Sequence, residues 1–247
     1  GFEGYQAELD LIPRAQLTLA AQYQPALFSR IELAQFFGIE LDDFAHEIAI
    51  LSLWLAQHQM NQKFKEVFGE SNPTLPLQAG GTIVHGNATR LDWEVVCPKN
   101  LNNEIYILGN PPYLGQRNQK EEHQADMSFV FSKVNNYKNL DYISIWFYKA
   151  SKYIDTNSKF AFVTTNSLCQ GTQVEMLWPL IFANMQEIFF AYKNIKWTNN
   201  AKDKAGVTVS IIGVRTISNS NKYLIEENRV IDARNINAYL INGSNII

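Results

Sequence analysis

Short apolar runs alternate along this chain with longer amphipathic stretches, and that alternation restricts the fold more than any single motif does. "QFFGIEL" (35–41) reads as a strand and "DDFAHEIAILSLWLAQHQMN" (42–61) as a helix. In that helix Phe44, Ile48, Leu51 and Leu55 share one face, and Asp42 or Asp43 can cap its start. A loop rich in glycine and proline follows at 69–81. "TIVHG" (82–86) and "EIYILGN" (104–110) then read as strands, the second apolar enough to lie centrally in a parallel sheet. The polar segment 115–126 reads as mobile. A helix is expected over 140–154, a strand over 159–167, a helix over 174–185 that breaks or ends near Pro179, and then the strands "EIFFAYK" and "VTVSIIGV". A doubly wound α/β sheet is the economical solution for this order.

With 247 residues, 46% of them hydrophobic, such a sheet has ample core. A net charge of −3 at pH 7 gives the chain no general attraction for polyanions, so contact with nucleic acid needs a local basic surface. The one local basic cluster is Lys193, Lys196, Lys202 and Lys204 around Asp203, which can either bind DNA phosphate or form a solvated face. Cys97 and Cys169 have no second ligand at metal spacing, so neither a disulfide framework nor a metal site is expected. No run approaches the roughly 18 apolar residues of a membrane span. "GFEGYQAELD" also lacks the basic start and apolar centre of a signal peptide, so a cytoplasmic chain with no membrane partner is expected.

In doubly wound sheets ligands bind beyond the carboxyl ends of the strands. Three strands end in Glu40, in Asn87 and in Asn110-Pro111-Pro112-Tyr113. A carboxylate at the first of these ends can accept hydrogen bonds from both hydroxyls of a ribose, or can be a plain surface acid beside a helix start. Asn87 suits an adenine edge by donating and accepting at once, or simply closes a turn. The proline corner is more specific. Neither proline can continue a ladder, and the fixed φ of Pro111 together with the restriction imposed by Pro112 stiffens the Pro111 carbonyl. That carbonyl and the Asn110 side-chain oxygen can converge on one amino group, with the Tyr113 ring beside it. An exocyclic amine on an sp² carbon is a poor nucleophile because its lone pair is delocalised. Accepting both of its hydrogens localises the pair on nitrogen, an electrostatic activation that needs no titratable base. A peptide-recognition tag of the N-P-x-Y kind and an ordinary turn are the competing readings of these four residues.

"GIELDD", "IVHGNATRLDW" and "ILGNPPYLG", in that order, resemble the second, third and fourth motifs of class I S-adenosylmethionine-dependent N6-adenine DNA methyltransferases. "QFFGIELDDFAHEIAILSLWLAQHQMN", "FAFVTTNSLCQGTQVEMLWPLIF" and "KNIKWTNNAKDKAGVTVSIIGV" are similar to the methyltransferase region of the MmeI-like, type IIL restriction–modification proteins, over roughly 31–240. The resemblance implies a Rossmann-like sheet, mostly parallel with a late antiparallel strand, and the partners S-adenosylmethionine and double-stranded DNA. It gives Glu40 the cofactor ribose, Leu41 the packing against its adenine, and Asn87 with Ala88 the adenine edge. Asn110 and the Pro111 carbonyl would hold the target amine. Tyr113 would stack on the extruded base, with Trp197 on the base's other face. Flipping a base costs a few kcal/mol, and stacking returns about 1–3 kcal/mol per base.

The family's first motif, a glycine-rich turn after the first strand, has no counterpart here. "AGG" (79–81) follows a proline-rich loop and opens no helix. The first strand and its turn are therefore expected upstream of Gly1, leaving a fragment that binds S-adenosylmethionine weakly or not at all. The expected organisation is a helical lead-in over 1–30, an incomplete catalytic core over 31–232, and a lead-in to a missing target-recognition domain over 233–247. Methylation of a protein glutamine amide or of guanine N2 in RNA uses the same nitrogen chemistry and stays open, as does a non-catalytic binding fragment.

Overall fold

A computed structural model describes residues 31–69, 81–100, 102–197, 207–227 and 229–245. The chain divides into two compact units, Gly1–Ala88 and Thr89–Ile247. The helical lead-in expected over 1–30 lies outside the described residues.

The smaller unit holds β1 (Phe37–Glu40), α1 (Asp43–Phe68) and β2 (Thr82–His85). β1 and β2 are parallel, in register from Phe37 opposite Thr82 to Glu40 opposite His85. α1 starts where the Asp42 side chain accepts the Ala45 N–H at 2.8 Å. It runs past the expected end at 61 to Phe68, closed by Gly69 at φ 84°, a left-handed conformation that glycine adopts without strain. Its expected apolar face is displaced. Phe44 and Leu55 are 75% and 52% exposed, whereas Ala45, His46, Ala49, Ile50, Leu53, Trp54 and Gln57 are half-buried. The cause is legible in the run Ile48-Ala49-Ile50-Leu51, which makes the helix apolar around most of its circumference, so that periodicity alone selects no single stripe.

The larger unit holds a six-stranded sheet in the order β3-β4-β6-β5-β7-β8. Its strands are β3 (Ile105–Gly109), β4 (Ser158–Thr165), β5 (Gln186–Trp197), β6 (Val207–Thr216), β7 (Lys222–Glu226) and β8 (Arg229–Ala233). β3 and β4 are parallel, as are β5 and β7, while β6 enters antiparallel between β4 and β5 and β8 closes antiparallel on β7. This is the α/β sheet expected, with the late antiparallel strand in place. β3 differs from its expected central position. Among the described residues it pairs only with β4, and Tyr106 and Leu108 are exposed on its open side. An apolar run reports what a strand can tolerate on its faces, not how many neighbours it has.

Helices α2 (Trp93–Val96), α3 (Glu121–Val130), α4 (Ser144–Tyr153) and α5 (Thr172–Phe182) complete this unit. β4 alternates strictly, with Phe160 and Phe162 on its buried face. α5 presents Val174, Leu177, Trp178 and Ile181, spaced as one helical face, and all are fully buried. Phe147 of α4 joins the two layers, its ring centroid 5.8, 5.4 and 6.0 Å from those of Phe160, Phe162 and Trp178, near-perpendicular contacts favoured by ring quadrupoles. α5 continues unbroken through Pro179, whose carbonyl still accepts the Ala183 N–H at 3.0 Å, and ends within a turn of it at Phe182, so of the two alternatives the end near Pro179 holds and the break does not. Proline removes one donor, but Trp178 and Ile181, buried on either side of it, hold the helix to the sheet. The segment expected to be mobile contains a single 3₁₀ turn, Gln116–Asn118, and the start of α3, with Gln119 and Asp126 buried. Beyond β8, Ile236, Ala238 and Leu240 join the same core, inside the stretch read as a lead-in.

Candidate functional site

β3 stops at Gly109, opposite Phe162, and the chain leaves the sheet as the Asn110-Pro111-Pro112-Tyr113 corner. Asn110 is exposed and Pro111 buried, while Pro112 is exposed and Tyr113 half-buried against the core. Among the described residues the Asn110 side chain makes no hydrogen bond, and no backbone hydrogen bond closes on Asn110 through Tyr113. Among the described residues the corner thus keeps two acceptors unspent at a sheet edge, beside a tyrosine that is partly exposed. Immediately after it, Leu114 is held from both sides. Its N–H donates to Asp141 Oδ1 at 2.8 Å, and its carbonyl accepts from the Tyr142 N–H at 3.0 Å.

β4 carries the neighbouring edge further, to Thr165 and Asn166. There Ser210 Oγ donates to Asn166 Oδ1 at 2.6 Å, Asn166 Nδ2 to Asn194 Oδ1 at 3.0 Å, and Asn194 Nδ2 to Glu226 Oε1 at 2.9 Å. Asn194 sits at φ 57° where the β5–β6 register shifts, a bulge that turns the last residues of β5. An asparagine inside the apolar run "AYKNIKW" is the signal that can find it. Lys193 does not offer a free charge, since its ammonium lies 3.4 Å from Glu226. Lys196 is exposed. Trp197 ends β5 opposite Val207, and Lys202 and Lys204 lie outside the described residues.

Behind the corner, Arg90 Nε donates to Asp126 Oδ1 at 2.6 Å and the Tyr142 hydroxyl to Asp126 Oδ2 at 2.7 Å. Burial and the Asp126 carboxylate push the Tyr142 phenol well above its usual range. Lys149 on α4 donates to the carbonyls of Thr89 and Leu91 at 3.1 and 2.6 Å, and burial pulls its ammonium down to about 8. None of these partners is adjacent in sequence, and no local motif announced them.

In the smaller unit, the parallel register of β1 and β2 brings Glu40, Leu41, Asn87 and Ala88 to one edge. Glu40 Oε1 accepts the N–H groups of Leu41 and Asp42 at 2.9 and 3.1 Å, which fixes the carboxylate and leaves Oε2 without a hydrogen bond to a described residue. Leu41 is exposed, and Asn87 and Ala88 are half-buried. Among the described residues no group of three or more His, Cys, Asp or Glu side chains can hold a metal ion. Cys169 is buried and its thiol is pushed up by burial. No helix among them is long and apolar enough to cross a membrane.

Residues 6–226 match the family model of the DNA-methyltransferase domain of MmeI. The chain belongs to this MmeI methyltransferase family. It is 48% identical over 244 residues to DNA methyltransferase A of Bacillus subtilis (strain 168), covering 97% of this chain and 27% of that protein. The solved structure of the type IIL restriction-modification enzyme MmeI in complex with DNA superposes with a TM-score of 0.80 at 37% identity, over 89% of this chain and 30% of that one. The chain therefore spans less than a third of either relative's length.

Proposed function

We propose that this MmeI-family chain forms the core of a site-specific DNA methyltransferase that transfers methyl from S-adenosylmethionine to N6 of an extruded adenine. The observation that carries the reading is the corner after β3, where the Asn110 oxygen and the Pro111 carbonyl are left without partners among the described residues, next to the half-buried Tyr113. Asn110 and Pro111 accept the two hydrogens of the target amine and draw its lone pair out of conjugation, and Tyr113 stacks on the base. The methylated nitrogen is cationic and strongly acidic and afterwards releases its proton to solvent water, so no titratable side chain is required at the corner.

Glu40 suits a nucleoside donor. Two backbone N–H groups orient its carboxylate and one oxygen stays open for ribose hydroxyls, with Leu41, Asn87 and Ala88 on the same strand edge for the adenine. S-adenosylmethionine, when bound, supplies the electrophilic methyl. Trp197 is the candidate for the second side of the base, and Lys196, Lys202 and Lys204 are the candidates for phosphate contacts on duplex DNA. Lys193 contributes less, because Glu226 already neutralises it.

The test is transfer of labelled methyl from S-adenosylmethionine to unmethylated duplex DNA by the chain extended to the length of its relatives, followed by nucleoside analysis. Label in N6-methyladenine is the expected result. Label only in a protein glutamine or in guanine of RNA, or none at all, contradicts it.

A further inference from the structure

We propose that Asp141 and Gln119 are positioning residues for this transfer: gripping both backbone groups of Leu114, they fix the direction in which the Asn110–Tyr113 corner faces. The inference rests on the proposed adenine methylation, and it adds to that reading the device that aims the corner. Pro111 and Pro112 bring no N–H, and no backbone hydrogen bond joins Asn110 through Tyr113 to a described residue. Stiff φ angles alone do not anchor a loop to the rest of the protein. After β3 ends, the first anchored peptide group is that of Leu114, directly after Tyr113.

The anchor has two halves of opposite polarity. Asp141 Oδ1 accepts the Leu114 N–H at 2.8 Å and the Ile143 N–H at 3.2 Å. Gln119 Nε2 donates to the Leu114 carbonyl at 3.1 Å and to the Leu140 carbonyl at 2.9 Å. Asp141 and Gln119 are 6% and 8% exposed, so water does not replace a lost partner cheaply. The grip is tied in turn to α5, since Gln173 accepts the Asp141 N–H at 2.9 Å and donates to the Asn139 carbonyl at 2.7 Å. Residues just before α3 and α4 therefore converge on the two backbone groups of Leu114 beside the corner, and Gln173 of α5 holds Asp141 from behind. Burial raises the Asp141 carboxyl and the backbone N–H groups of Leu114, Ile143 and Tyr142 draw it back, as expected of an acid retained for its acceptor geometry.

Asp141→Ala removes the acceptor, whereas Asp141→Asn keeps an oxygen that can still take the Leu114 N–H. In steady-state methyl transfer to duplex DNA by the chain extended to the length of its relatives, at saturating S-adenosylmethionine, Asp141→Ala is expected to lower kcat by about 10- to 100-fold with KM for DNA nearly unchanged, because misaiming leaves the rest of the DNA contact intact. Asp141→Asn is expected to recover most of that rate. Gln119→Ala, which leaves the Tyr142 N–H on the Leu114 carbonyl at 3.0 Å, should lower kcat less, and it serves if Asp141→Ala does not fold. Amide exchange at Leu114, followed by NMR, should accelerate in Asp141→Ala. Undiminished kcat in Asp141→Ala and Gln119→Ala, Asp141→Asn as defective as Asp141→Ala, or unchanged exchange at Leu114 overturns the proposal. A wild-type protein that methylates no adenine counts against the proposed function alone, and the grip is then judged by exchange.

Discussion

Phe147 in the larger unit has no exposed surface and meets three aromatic rings, while Phe44 in the smaller one is 75% exposed on a helix whose sequence is at least as apolar. Both phenylalanines sit on correctly expected helices. The difference teaches that periodicity reports which way side chains point around a helix, and burial depends on what lies opposite. In the larger unit the strict alternation of β4 and the spacing of α5 each select one face, and the two faces meet. α1 is apolar on several faces, and the half-buried one is set by β1 and β2, with the His46 ring 3.0 Å from the Ile83 carbonyl.

The contrast breaks most readily at Phe147. Phe147→Ala should cost about 3–5 kcal/mol in denaturant unfolding, as expected for an aromatic truncated inside a packed core. A loss near zero would mean that the two layers are not held together through this ring. The pH dependence of stability sharpens the same point for charge. Because the Lys149 pKa is lowered from about 10.5 to about 8, the unfolded chain binds more protons between those values, and stability contributed at this site rises as pH climbs from 8 towards 10.5. The stability of the wild type relative to Lys149→Met should therefore increase over that window, and a flat or falling difference would show the ammonium to be solvated. Smallest of all, Phe44→Ala should change unfolding free energy by less than about 0.5 kcal/mol. A loss several times larger would place Phe44 under cover.

What the sequence made legible was chemistry carried by residue type. Asp42 before an apolar run marks a helix start, two prolines end a strand, and Glu40 closes another where a carboxylate can be useful. Contacts between distant positions were hidden. Leu114 and Asp141 are 27 residues apart, Asn166 and Asn194 are 28, and neither pair has a local pattern to betray it. β7 and β8 were missed because "KYLIE" and "RVIDA" are short and mixed in polarity, and gain their strand character from neighbours in the sheet. Pro179 marked the end of α5 to within a turn but not a break, since a buried helical face outweighs one lost hydrogen bond.

Whether the corner beyond β3 grips an amine is tested with little disturbance by Asn110→Ala, because the side chain is exposed and carries no hydrogen bond to a described residue. In the chain extended to the length of its relatives, methyl incorporation into adenine by Asn110→Ala should fall by at least about 100-fold while calorimetric affinity for S-adenosylmethionine and the unfolding midpoint stay close to wild type. Adenine methylation by this variant at close to the wild-type rate would contradict it.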